Sequence, residues 1–242
     1  MLNEKQINQF KTKGVLIIKN FFSSEEIKKW DDEVLSHFNH PKDEDEWKNI
    51  MMKTSSSNFY LKNEPTPLTC LKMKALYSSL NRFVNWEGDN DLVVRPPDST
   101  LPWLGARTPH LDFPVYDNIL TLANSVFYLS DVTSKGAAFM YWPGSHIESW
   151  NYFKENPQDY MTQGDLSQDQ VFEKIHKIVK HPVKEFIGNA GDLMIWHSLL
   201  LHSPSINKSN STRKAVIGRW GEKIDKKRFD FNKSIWEYFN FK

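Results

Sequence analysis

Apolar residues near the start of the chain recur every three or four positions, a spacing that predicts helices packed on a core. A first helix is expected to open at Asn3, with Gln6 three residues on, and to end at Gly14. A second helix is expected to open with the capping box formed by Ser23 and Glu26. The apolar positions of this second helix are Ile27, Trp30, Val34 and Phe38.

The rest of the N-terminal part is predicted to contain a short strand, a further helix and two loops. The apolar run at 15–18 predicts a short buried strand, and a further helix is expected at about Leu71–Phe83. The charged stretch at 41–49 and the polar stretch at 53–58 are predicted to be surface loops. Residues 1–90 are therefore expected to form a mostly helical flank.

From Asp91 onward the pattern changes to short runs of β type separated by turn signals. These runs are "LVV", "NILTLANSVFYL", "AAFMYW", "VKEFI", "LMIW" and "KAVIGRW". A capping box from Ser167 to Gln170 opens an amphipathic helix inside an insertion at about 147–181. Helices followed by many short strands favour a mainly β core, either a β-sandwich or a jelly-roll barrel, with flanking helices.

Composition narrows the class of protein. The chain has 242 residues and no linker-like segment, which predicts one domain at 1–242, with the core at 91–220 and a C-terminal tail at 221–242. The 31 basic and 30 acidic residues nearly cancel, so no nucleic-acid partner is expected. A single cysteine, no signal-peptide pattern and no apolar stretch approaching about 20 residues predict a cytoplasmic protein without membrane contact.

The stretch "TPHLDFPVYD" places His110 and Asp112 two positions apart. In a strand, such positions point to the same face. The pair is either a structural contact or half of a metal site, because two histidines and one carboxylate form the facial triad of mononuclear iron enzymes. Among the other histidines, His202 ends an apolar run at a loop edge, where a third ligand is expected, and His197 is more typical of a packed residue.

Arg213 opens a strand-like run eleven residues after His202. A lone arginine there is normally a surface charge. Beside a metal site, its guanidinium could hold a carboxylate through two parallel hydrogen bonds.

Taken together, these segments resemble the phytanoyl-CoA dioxygenase family of iron(II)- and 2-oxoglutarate-dependent oxygenases. The resemblance runs nearly end to end. It is carried, in order, by "QINQFKTKGVLIIKNFFSSEEIKKW", "HLD", "YLSDVTSKGAAFMYWPGSH" and "GDLMIWHSLLLHSPSINKSNSTRK". It implies a double-stranded β-helix, the cupin-like form of the jelly roll.

The resemblance also implies roles for single residues. Iron(II) would be held by His110, Asp112 and His202, and Arg213 would hold the distal carboxylate of 2-oxoglutarate. Many members read His-Gly-Ser at the last ligand, whereas this chain reads "HSPS". The serine hydroxyl that touches the co-substrate is therefore displaced, and the candidates for its role are Ser203 and Ser205.

The implied activity is the oxidation, most simply the hydroxylation, of a small-molecule metabolite or natural-product intermediate. Dioxygen and 2-oxoglutarate would be consumed, and succinate and carbon dioxide released. Related halogenases carry Gly or Ala where this chain has Asp112, which favours hydroxylation over halogenation. Two alternatives remain open at this point, a metal-dependent hydrolase that uses the same triad and a non-catalytic jelly-roll binding protein.

Candidates for substrate contact are Arg219, Arg107 and Trp103. In a regular strand, Arg219 shares the inner face with Arg213 and would reach the far end of the strand. It would then either form a salt bridge with one of the protein's own carboxylates or bind an anionic group of the substrate. A bulge at Gly218 would instead turn it to solvent.

Overall fold

The structure is a computed structural model. It describes residues 2–53, 61–67, 69–80, 84–85, 91–112, 115–116, 119–162, 165–223 and 230–241. The α-helices in these segments are α1 (Glu4–Lys13), α2 (Ser24–His37), α3 (Glu44–Lys53), α4 (Leu71–Ser78), α5 (Ser145–Glu155) and α6 (Gln168–Ile178). A short 3-10 helix follows α5 at Pro157–Thr162.

The described strands form two antiparallel sheets. The strands are β1 (Val15–Ile18), β2 (Val84–Asn85), β3 (Asp91–Arg95), β4 (Val115–Tyr116), β5 (Ile119–Tyr128), β6 (Phe139–Tyr141), β7 (Lys184–Phe186), β8 (Leu193–His197), β9 (His202–Ser203) and β10 (Arg213–Lys223). The larger sheet has the order β1-β8-β5-β10-β2, with β3 also paired to β10 and β4 to β5. The smaller sheet has the order β7-β6-β9. The prediction of a mainly β core with helices before it is confirmed.

Local hydrogen bonds explain why the helices begin where the sequence predicts. The Asn3 side chain accepts from the Gln6 N–H at 2.9 Å, and Gly14 ends α1 at a φ of 66°, which favours glycine. The capping boxes that open α2 and α6 are likewise formed, at Ser23 and Ser167. Each box satisfies backbone N–H groups that an uncapped helix leaves unpaired.

Two helix predictions need correction. The charged stretch at 41–49 was predicted to be a loop, which is wrong, because α3 begins within it. The Asp43 carboxylate accepts from the Glu46 N–H at 2.9 Å, and Trp47 packs on Phe38, so one cap and one buried ring are enough to hold a highly charged helix. Helix α4 ends at Ser78, earlier than predicted, and residues 81–83 of that prediction lie outside the described residues, as do 54–58 of the polar loop.

Two groups of buried residues make up the core. One joins the N-terminal helices to the outer face of the large sheet, where Trp220 stacks on Tyr77 with ring centroids 3.6 Å apart. The other is formed by side chains from both sheets, including Tyr128, Phe139 and Ala215. Since side chains alternate along a strand, one face of β10 packs in the first group of buried residues and the other face in the second. The second group marks the interior in which the candidate site lies.

The C-terminal segment packs back on the first helix. Trp236, Phe239 and Phe241 surround the ring of Phe10 in α1, with centroid distances of 5.9 to 6.5 Å. The ring of His197 stacks on Phe239 at 5.4 Å. In the described part of the chain, no helix combines the length and apolar character that crossing a membrane requires.

Candidate metal centre

Main-chain pairing brings His110 and His202 together. The His110 N–H donates to the His202 carbonyl at 2.8 Å, and the His202 N–H donates back to the His110 carbonyl at 3.0 Å. The two rings lie with their centroids 4.3 Å apart. His110 forms only this isolated bridge, and Asp112 lies outside the named strands, so the regular strand expected around the pair is absent from residues 110–112.

Each imidazole is oriented by a carbonyl group. The Nδ1 atom of His110 lies 2.7 Å from the Thr108 carbonyl, and Nδ1 of His202 lies 2.9 Å from the Leu200 carbonyl. A carbonyl oxygen can only accept, so both Nδ1 atoms carry the proton. The Nε2 atoms are therefore left with a lone pair free for a metal, as in metal-binding histidines whose other nitrogen is fixed by a hydrogen bond.

Asp112 completes the set. The Asn124 amide on β5 donates to its Oδ2 atom at 2.8 Å, which fixes the plane of the carboxylate. Burial acts to raise the pKa of Asp112, but the neighbouring His202, Arg219 and His110 outweigh it, and the pKa lies below the ordinary value. The carboxylate is therefore ionised at neutral pH.

The three side chains have the spacing and charge that a metal ion requires. One ligand atom from each lies within 4.8 Å of the others. The gap between His202 Nε2 and Asp112 Oδ2 is 3.6 Å, longer than a direct hydrogen bond, so an ion can share both. Burial lowers the pKa of His202 to about 4, which keeps this imidazole neutral. Two imidazole nitrogens and one carboxylate oxygen suit iron(II) and neighbouring divalent metals.

Arg213 lies on the inner face of β10 and is buried, with 7% of its surface exposed. Its Nε atom has no hydrogen-bond partner among the described residues. The guanidinium carbon lies 6.0 Å from the centroid of the Tyr128 ring. Burial lowers the pKa of Arg213 to about 10, so the residue is still a cation at neutral pH. A buried cation with an unused donor fits a carboxylate ligand.

The two candidate serines are already engaged by the backbone. The Ser203 hydroxyl accepts from the Thr108 N–H at 3.0 Å and donates to the Pro204 carbonyl at 2.9 Å. The Ser205 hydroxyl donates to the Ala138 carbonyl at 2.7 Å. Each oxygen can still accept a further hydrogen bond, but neither has a proton to spare for a carboxylate. Their role toward a co-substrate remains a prediction.

Arg219 shares the inner face with Arg213, as predicted. Its Nη1 atom lies 3.9 Å from Asp91 Oδ2, so the salt bridge to a carboxylate of the protein, one of the alternatives for this residue, is present. Its charge also acts on Asp112 and His202. The bulge predicted as an alternative at Gly218 is wrong, because the register of β10 against β5 shifts only between Trp220 and Gly221.

The remaining candidates are not among the three residues whose ligand atoms are grouped. Arg107 is exposed and Trp103 is partly buried, both in the segment that leads to His110. The Nδ1 atom of His197 accepts from the Leu199 N–H at 3.0 Å, and the ring packs in the core. His146 is buried in the first turn of α5 against α1, as a structural residue would be.

Sequence reasoning missed Asn124, the residue that holds the Asp112 carboxylate. It is fully buried in β5 among apolar neighbours. A buried amide within an apolar run is unusual, because it must find hydrogen-bond partners. The one amide side chain in the largely apolar run "LTLANSVFYL" is the signal that could have identified it.

The site has the donor set of a mononuclear facial triad. The family model for phytanoyl-CoA dioxygenase (PhyH) matches residues 10–215, and the chain belongs to this family of iron(II)- and 2-oxoglutarate-dependent oxygenases. The resemblance seen in the sequence is thereby confirmed. A search of curated proteins finds no match to the chain.

Solved structures of similar fold cover most of the chain. The carbocyclase SnoK from nogalamycin biosynthesis is 18% identical, with a TM-score of 0.54 over 91% of this chain and 84% of SnoK. HygX from Streptomyces hygroscopicus, solved with nickel and 2-oxoglutarate, is 16% identical, with a TM-score of 0.52 over 91% and 87%. The epimerase SnoN, solved with Fe3+, alpha ketoglutarate and nogalamycin RO, is 13% identical, with a TM-score of 0.56 over 90% and 83%. At these identities the likeness establishes the fold.

Proposed function

We propose that the chain is an iron(II)- and 2-oxoglutarate-dependent dioxygenase that hydroxylates, or otherwise oxidises, a small-molecule metabolite or natural-product intermediate. The observation that carries this proposal is the convergence of His110, Asp112 and His202, whose ligand atoms lie within 4.8 Å of one another. Family membership and the fold of the structural relatives support it. The arrangement of the two sheets is proposed to be the double-stranded β-helix of these enzymes.

In this proposal, His110, Asp112 and His202 would hold the metal. The carbonyls of Thr108 and Leu200 keep the two Nε2 lone pairs on the metal, and the Asn124 amide engages one oxygen of Asp112. Because the carboxylate occupies a coordination position that halogenases leave vacant, hydroxylation is the simplest outcome. When bound, iron and 2-oxoglutarate supply the oxidising chemistry, in which dioxygen is consumed and succinate and carbon dioxide are released.

Arg213 is proposed to bind the distal carboxylate of 2-oxoglutarate. It lies in an interior lined by side chains such as Tyr128 and Ala215, where a charge-assisted hydrogen bond is not weakened by water. Its unused Nε donor offers part of the two-point contact that a planar carboxylate accepts. A zinc hydrolase would have no use for this buried cation, which favours the oxygenase.

The test is succinate release across a library of metabolites, measured with iron(II), ascorbate and 2-oxoglutarate. The wild type is expected to release succinate slowly without substrate and faster with the right one, while Asp112→Ala releases none. The substitution Lys174→Gln, at an exposed position on α6, serves as a charge-changing control and should leave the rate unchanged. Failure of the wild type to bind 2-oxoglutarate in the presence of a divalent metal would exclude this activity.

A further inference from the structure

A cleft of about 680 Å³ opens beside the segments that carry the two histidines of the triad. Its walls come from the C-terminal part of α3, the end of β3 with the residues that follow, and two short pieces of loop, 107–108 and 204–207. Sites for small molecules usually enclose about 300–1,000 Å³, so the cleft has the size of a binding site.

The cleft carries an excess of positive charge. Lys48, Arg95 and Arg107 line it, against one carboxylate, Asp98. That carboxylate is already engaged, since one oxygen accepts from both the N–H and the hydroxyl of Thr100, at 2.8 and 2.6 Å. Among the described residues, no carboxylate lies within 4.0 Å of a side-chain nitrogen of Arg95 or Arg107.

The two arginines lie close enough to repel each other. Enclosure by the protein, and then the charge of Arg107, lowers the pKa of Arg95. Both side chains are exposed, so water screens part of their repulsion, and an anion bound between them would remove the rest. Guanidinium groups bind carboxylates and phosphates with two hydrogen bonds each. The pair therefore matches an anionic group better than a neutral one.

The cleft also has apolar lining residues. Met52 exposes 78% of its surface, and it lines the cleft together with Met51, Pro96, Pro97 and Ile206. A single exposed methionine needs no explanation, but five apolar residues that line one cleft together with two arginines form a surface with both apolar and cationic character. Methionine adapts its shape to irregular apolar ligands. The ligand that fits such a cleft has an anionic group and an apolar part.

Short segments connect the cleft to the triad. Thr108 lines the cleft, and its carbonyl accepts from the Nδ1 atom of His110 at 2.7 Å. On the other side, the Arg107 N–H donates to the Pro204 carbonyl at 3.2 Å, two residues after His202. The lining residues Thr108 and Pro204 are therefore each two positions along the chain from a histidine of the triad.

We propose that this cleft binds a carboxylate or phosphate group of a partly apolar substrate, with Arg95 and Arg107 on the anion and Met52 on the apolar part. The inference rests on the proposed function only in taking the ligand to be the substrate. The cleft adjoins the proposed 2-oxoglutarate site, because Arg95 lies opposite Arg213 in the pairing of β3 with β10 and its charge acts on Arg213. The experiment must therefore separate substrate binding from binding of the co-substrate.

Calorimetry on the full chain tests the inference without turnover. The probes are hexyl phosphate, heptanoate, hexanol and inorganic phosphate, each titrated with manganese(II) and 2-oxoglutarate present. We expect one of the two alkyl anions to bind at least about tenfold more tightly than hexanol, and the tighter one identifies the anion. Arg95→Gln and Arg107→Gln should each weaken that probe by at least about fivefold, while Lys174→Gln leaves it unchanged.

The other outcomes separate this inference from the proposed function. Met52→Ser should weaken binding of hexyl phosphate and leave inorganic phosphate unaffected. The inference is overturned if hexanol binds as well as the anions, if neither arginine variant changes anion binding, or if Arg95→Gln weakens 2-oxoglutarate instead. If the wild type fails to bind 2-oxoglutarate but binds the anion through both arginines, the proposed function is refuted. The inference that the cleft binds an anionic ligand is then still supported.

Discussion

Replacing Arg213 with methionine separates the stability of the fold from the binding of the co-substrate. Methionine fills a similar volume without the charge. In the ligand-free protein, the buried guanidinium has an unused Nε donor, and its only described aromatic contact is the Tyr128 ring at 6.0 Å. We therefore expect the variant to fold at least as stably as the wild type and to bind 2-oxoglutarate poorly.

The magnitudes follow from burial. The pKa of Arg213 falls from 12.5 to about 10 because the charge is buried, and at about 1.4 kcal/mol per pKa unit the charge costs the ligand-free fold about 3 kcal/mol. A cation with a lowered pKa destabilises the fold at every pH below its folded pKa, so the full cost applies at pH 7. Removing it should raise the free energy of unfolding by about 0–2 kcal/mol, after the loss of the contact with Tyr128.

Binding should change in the opposite direction. Losing a desolvated, charge-assisted pair costs about 2–5 kcal/mol, which raises the Kd for 2-oxoglutarate at least about thirtyfold. At a concentration of about 100 times the wild-type Kd, the ligand stabilises the wild type by about 2.7 kcal/mol and such a variant by about 0.9 kcal/mol or less. Urea unfolding with manganese(II), in the presence and absence of 2-oxoglutarate, measures both effects.

The neighbouring Lys214 supplies a matched control. It points to the other face of β10 and pairs with Asp31. Lys214→Met should lower the free energy of unfolding, because Asp31 loses its partner, and leave the Kd for 2-oxoglutarate unchanged. An unchanged Kd in Arg213→Met would show that another cation, such as Arg95, binds the co-substrate. A loss of several kcal/mol in the ligand-free variant would show that Arg213 is a structural residue.

Three further outcomes are expected. His202→Ala should abolish the visible band of the iron(II)–2-oxoglutarate chelate measured without oxygen, whereas His197→Gln keeps it, and the reverse pattern would reassign the ligand. Gly14→Ala places a Cβ 2.5 Å from a buried histidine ring at a φ of 66°. It should lower the unfolding free energy by about 1–3 kcal/mol more than Gly105→Ala, which has the same φ and open space, and equal losses would refute the clash. Burial acts to raise the pKa of Asp192, but a lysine and two backbone N–H groups lower it overall, so its stabilisation is present above pH 3.8 and lost as pH falls through the folded pKa. Asp192→Asn should therefore lower the free energy of unfolding more at pH 7 than at pH 2 in urea unfolding, and a cost that does not change with pH would contradict this origin.

Features set by near neighbours in sequence could be predicted. The capping boxes at Asn3, Ser23 and Ser167 depend on residues three positions apart, and all three form as expected. The inner face shared by Arg213 and Arg219 follows from alternation along a single strand. The prediction for 41–49 was wrong because only Trp47 is buried in α3, and one apolar residue gives no periodicity to detect.

Features that depend on distant segments could not be predicted. The resemblance indicated His110, Asp112 and His202, but the bridge that joins the two histidines crosses 92 positions of sequence. The Asn124 amide can donate to Asp112 only because the fold brings β5 close to the segment that carries Asp112. The proposed cleft is formed by α3, the end of β3 and two loops, so it cannot be predicted from any local sequence pattern.

The donor set also bears on how the protein acquires its metal. Two imidazoles and one carboxylate bind nickel more tightly than iron(II), in the order that divalent first-row metals generally follow. HygX, which shares the fold, was crystallised both with nickel and with iron. In a triad of this kind, occupancy follows the supply of each metal more than the preference of the site. Under the proposed function, protein purified on a nickel column would carry nickel at His110, Asp112 and His202, and low turnover of such a sample would reflect its metal content. The bound metal should therefore be removed and replaced with iron(II) before the activities of variants are compared.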